Sequence, residues 1–128
     1  MICQTITFDS SIEDQAVRNG TIVESPAGRI HSELICSHLR GLMPVLREPW
    51  NEEDYAWELL VFPNRRTISV LTAMVDDRWQ ILVSSVHFIG FLWRQQRSSA
   101  VAMVAEAVES FLKADAKFSN VAREVQKA

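Results

Sequence analysis

The chain has 128 residues, 48% of them hydrophobic and 23% charged, with a net charge of −3. That length suits one domain over 1–128 with a core of its own, and the acidic balance removes the basic excess by which proteins grip nucleic-acid phosphates. No run of about 18 apolar residues spans a membrane, and the opening MICQTITFDSS lacks the basic stretch and apolar core of a secretion signal.

Residues 2–8 read as a strand with Ile2, Gln4, Ile6 and Phe8 on one side. The polar stretch that follows ends in Asn19-Gly20, a turn signal. Residues 21–25 then read as a short second strand, so 1–24 forms an N-terminal hairpin with a long loop. Ser25-Pro26 is a helix start, because serine caps well and proline loses nothing at the first helical position. Ile30, Leu34, Ile35, Leu39, Leu42 and Met43 then recur at steps of three and four as one buried stripe. Pro44 kinks or ends the helix near Met43, and Pro49-Trp50 continue as an extended connection.

Three strands follow at 55–62, 67–75 and 79–87, broken at Pro63-Asn64 and Asp76-Asp77. HFIGFLW at 87–93 extends the third strand or forms a fourth after Gly90. Ser98 or Ser99 caps the last long helix, which buries Val101, Val104, Val108, Phe111 and Leu112. Residues 116–128, with Phe118, Val121 and Val125, are a short helical or extended C-terminal appendix. The order (ββ)αβββα is that of an α+β, two-layer sandwich, an antiparallel β-meander with helices on one face. This element order resembles that of profilin-like and longin-like domains. The resemblance is of order alone, so no functional residue carries over from it.

The strands carry large apolar residues on both sides. With a four-residue loop at 63–66, Leu60 pairs with Ser69. With a two-residue loop at Asp76-Asp77, Val75 pairs with Arg78 and Leu82 lies beside Leu71. Trp57, Leu59, Val70 and Ile81 then face the helices as core, with Val104 and Phe111 above them. Leu60, Phe62, Leu71, Leu82 and Val86 fall on the second face among polar neighbours. Apolar patches of this kind mark contact surfaces. Charge is sorted along the same strands, with an acidic pole of Glu52, Glu53, Asp54, Asp76 and Asp77 and a basic pole of Arg65, Arg66, Arg94 and Arg97.

Chemical motifs are sparse. The acidic residues have no ordered calcium-loop spacing. His31 and His38 are seven apart on one helix, about 10 Å along its axis, too far to share a zinc ion with bonds of about 2 Å. They read, like His87, as ordinary histidines. Cys36 lies mid-helix, where nothing activates a thiol. Cys3 and Cys36 read as free thiols in a reducing cytoplasm. No catalytic, metal or cofactor residue is expected.

These features describe a small soluble, non-catalytic protein-protein interaction domain, such as an inhibitor, an immunity-type protein or a dedicated chaperone, with a protein partner. The alternatives are a small-molecule sensor or enzyme, with a pocket between helices and sheet lined by Tyr55, Trp57, Met74 and Trp79, and a homodimeric structural subunit.

Overall fold

The computed structural model describes residues 2–52, 55–85 and 94–126, with the backbone alone at 52, 94–97 and 126. In chain order the elements are β1 (Cys3–Ser10), β2 (Val17–Asn19), β3 (Ile22–Ser25), α1 (Arg29–Arg40), β4 (Val45–Glu52), β5 (Ala56–Val61), β6 (Ile68–Val75), β7 (Arg78–Ser85), α2 (Arg94–Lys113) and β8 (Phe118–Gln126), with a 3-10 turn at Pro63–Arg65. Six strands form one antiparallel sheet in the order β4-β5-β6-β7-β1-β8, and β2-β3 is a separate two-stranded ribbon. The fold is α+β, with both helices on one face of the sheet.

The meander holds the expected register. Leu60 pairs with Ser69, Val75 with Arg78, and Leu71 with Leu82. Asp76 and Asp77 turn the chain with φ of 51° and 62°, the left-handed pair that a two-residue hairpin needs to match strand twist. Leu59, Val61, Ile68, Val70, Ile81 and Val83 are all fully buried. Above them lie Ile35, Cys36 and Leu39 of α1 and Val101, Val104, Val108 and Leu112 of α2. Phe111 is half-buried and stacks on His38 at 4.8 Å, where the two helices meet. Trp57, expected in the core, is only half-buried.

The N-terminal hairpin is not formed. β1 pairs with β7 on one side and β8 on the other, so it lies inside the sheet, while 22–25 pairs only with 17–19. β1 buries Ile6 and Phe8 completely, which a hairpin packed outside the sheet would not do. The C-terminal stretch is an edge strand, and the extended connection at Pro49-Trp50 is the opposite edge strand, β4. Two register shifts break β4 between Val45 and Trp50, and Pro49 is tolerated because an edge strand has one unpaired side.

The first helix starts later than Ser25-Pro26. Gly28 is its N-cap with φ 118°, and a Cβ there would meet Thr72 O at 3.3 Å and the Trp57 ring at 3.5 Å. The Pro26 carbonyl instead accepts the Trp57 indole N–H at 2.9 Å. The buried stripe is also rotated from the expected one. His31, Ser32, Ile35, Cys36 and Leu39 are buried, while Ile30, Leu34 and Leu42 are exposed. α2 is helical from Arg94, a turn ahead of Ser98, because Arg-Gln-Gln-Arg are good helix formers.

Candidate functional site

The register that buries the core puts Leu60, Leu71 and Leu82 on the sheet's opposite face. Among the described residues no element packs on that face, where the three leucines are half-buried and Cys3, Ala56 and Ser69 are buried. One row across it runs Trp50, Glu58, Leu71, Leu82, Thr5 and Glu124, from one edge of the sheet to the other.

The β4 side of this face is polar and organised. Glu58 accepts hydrogen bonds from Arg47 and from the Ser69 hydroxyl. The Arg47 guanidinium lies 5.4 Å from the centre of the Trp50 ring, a cation–π contact, and Trp50 is 54% exposed. Arg47 Nε is buried with no hydrogen-bond partner among the described residues. A buried donor left unmatched costs free energy. Phe62 is half-buried just beyond β5, and its N–H donates to Pro44 O at 2.9 Å.

Val86 and His87, with the rest of 87–93, and Glu53 and Asp54 lie outside the described residues. Of the acidic pole, Asp76 and Asp77 are exposed at the β6–β7 turn, and Glu52 ends β4 on the same end of the sheet. Arg65 is exposed and Arg66 half-buried at the opposite end, and Arg94 and Arg97 begin α2. Among the described residues, no three of His, Cys, Asp and Glu gather as a metal site. The alternative pocket residues are largely committed elsewhere. Tyr55 and Met74 are 56% and 43% exposed, Trp57 donates to Pro26, and Trp79 packs at a tilt against His31.

His31 is not an ordinary helix residue. Its backbone N–H donates to Asp14 Oδ2 at 2.9 Å, its ring Nδ1 lies 2.6 Å from the same oxygen, and Nε2 lies 2.7 Å from Ser10 Oγ. Nδ1–H donates to the carboxylate, and Nε2 shares a second hydrogen bond with the serine hydroxyl. Serine, imidazole and carboxylate in series is the arrangement that activates a serine nucleophile. This one lacks the rest of such a site. An acyl intermediate needs free N–H donors beside the nucleophile, but Ser11 N–H donates to Lys117 O at 2.9 Å and Ile12 N–H to Ser10 Oγ itself at 3.1 Å. The imidazole is 1% exposed, 4.2 Å from the Trp79 ring and flanked by Phe8 and Phe118.

The chain of bonds therefore fastens the β1–β2 loop to the start of α1. Asp14 supplies the cap that Gly28 has no side chain to provide, and its charge suits the positive end of a helix. Sequence reasoning missed it because Asp14 and His31 are 17 residues apart. Its only trace was a helix start whose inward position holds a histidine and whose outward ones hold Ile30 and Leu34.

Among the described residues, no helix is long and apolar enough to cross a membrane. Compared with models of protein families, with curated proteins and with solved structures, the chain has no match.

Proposed function

We propose that this chain works by binding a protein on the open face of its sheet, without catalysis of its own. The observation that carries this is the cluster of Leu60, Leu71 and Leu82 on neighbouring strands of a face that no described element covers. A half-covered antiparallel sheet needs apolar residues on one side only, and polar residues on the wet side would prevent unwanted association. Three leucines there favour a contact. The Arg47–Glu58–Ser69 network and Trp50 form a polar, aromatic rim beside them, the arrangement of contact surfaces generally.

An inhibitor, an immunity-type protein or a dedicated chaperone would each use such a surface. Cys3 lies on the open side of β1 and Cys36 under α1, on opposite sides of the sheet and both buried. Unbridged thiols fit a reducing cytoplasm.

The test is retention. Tagged chain recovered from its own cells should hold a stoichiometric protein, and Leu71→Glu should release it with an unchanged circular dichroism spectrum. Retention that survives Leu71→Glu, or a tightly held metabolite in place of a protein, would overturn the proposal.

A further inference from the structure

We infer that the occupant of the open face is a second copy of this chain, an inference that rests on the contact surface proposed above. The pattern on the face is self-complementary. The middle of the order β4-β5-β6-β7-β1-β8 falls between β6 and β7, where Leu71 and Leu82 pair directly. A two-fold axis along the strands at that line lays β6 of one copy over β7 of the other, β5 over β1, and β4 over β8. Leu71 then meets Leu82 of the second copy, and Leu82 meets its Leu71. Leu60, in the neighbouring row with Ser69 and Ser84, flanks this pair and lies over β1 of the second copy.

The charges agree with the same axis. At the β4 edge the Arg47 guanidinium lies over Trp50, in the row that ends at Glu124 on the β8 edge. Glu124 is exposed on the open side, opposite Thr5. Stacking β4 over β8 brings an arginine to a glutamate at both rims, which fixes the register of two otherwise apolar faces. The axis also brings the two Asp76-Asp77 turns to one end, where both are exposed and salt screens charges over roughly 8–10 Å.

The size suffices. Six strands about 4.8 Å apart, with about 20 Å of shared length, offer about 600 Å² on each copy. The two faces together bury on the order of 1,200 Å², the lower bound for a specific interface. The product is a four-layer sandwich with helices outside and two sheets about 10 Å apart within.

Light scattering on the full chain across a concentration series should give twice the 14.6 kDa chain mass. Leu71→Glu should weaken association by about 30-fold or more, the loss expected of a central interface residue, while the fold persists. Trp50→Cys and Glu124→Cys variants, mixed, should cross-link to each other through a short bis-maleimide, and neither to itself. A wild type that stays at 14.6 kDa while Leu71→Glu remains folded overturns the second copy alone, and the retention test still judges the contact surface. A Leu71→Glu variant that unfolds shows the face to be internal and overturns both. Cross-linking of Trp50→Cys to itself overturns the stated axis, and the inference with it.

Discussion

Asp14 holds two N–H donors with one oxygen, and both belong to His31. Removing it strips a buried imidazole and a helix end of their acceptor together. Asp14→Ala is expected to cost about 3 kcal/mol or more, since two hydrogen bonds to a charged group are lost at about 1.5–3 kcal/mol each. Ser10→Ala removes a hydroxyl that shares a hydrogen bond with Nε2 and accepts from Ile12, and should cost about 1–3 kcal/mol. Urea denaturation measures both. A fluorophosphonate should leave Ser10 unlabelled in the folded protein, and labelling would mean that the sealed histidine opens and serves as a base. Asp9 differs because it is at the surface. A hydrogen bond from Asn120, and then one from Arg78, hold its carboxyl below the ordinary value of 3.8. A group lowered on folding stabilises the fold above its unfolded value, and that contribution is lost as pH falls through the folded one. The window for Asp9 therefore lies below 3.8. Asn120→Ala should raise the Asp9 titration midpoint toward the ordinary value, as carboxyl NMR would report.

Each element succeeded or failed as a sequence signal according to how local its determinants are. The meander was legible because alternation and the two turns sit within 30 residues, and a two-residue turn fixes which side every later residue takes. β4 was not legible, since Pro49 and two register shifts destroy its alternation. β1 was legible as a strand and 116–128 only as helical or extended, and neither as the other's neighbour, because Cys3 pairs with Gln126 across nearly the whole chain. The face of α1 was misjudged because hydrophobicity alone would bury Ile30 and Leu34. The bonds to Asp14 and Ser10 bury His31 instead and turn the apolar pair outward. The open face followed from register. The hydrogen-bonded chain beneath α1 depended on a loop with no pattern. Gly28 joins these levels, as a left-handed residue pressed against Thr72 and Trp57. Gly28→Ala should cost about 1–3 kcal/mol in thermal or urea unfolding, because the backbone is strained for any side chain and the methyl would crowd Thr72 O at 3.3 Å.

For the whole molecule, the strand order decides how the parts depend on each other. The core on the helix side is continuous from β5 to β8, and its first strand cannot pair fully until its last has been made. Such long-range pairing folds slowly, on the order of milliseconds to seconds. The same order leaves the second face without a covering element among the described residues, so that a contact there can engage several strands at once. It also has a geometric outcome. β1 starts where β8 stops, with Cys3 directly opposite Gln126. The chain is thus nearly a closed ring, so its connectivity can be rewired. A short glycine-rich loop from 126 to 3, with new ends cut at Asn19-Gly20 in the exposed ribbon turn, should give a circular permutant. It should keep the native circular dichroism spectrum and melt within a few degrees of the parent, since loop closure of this size costs little. A permutant that fails to fold would mean that the order of synthesis is needed to insert β1 into its slot.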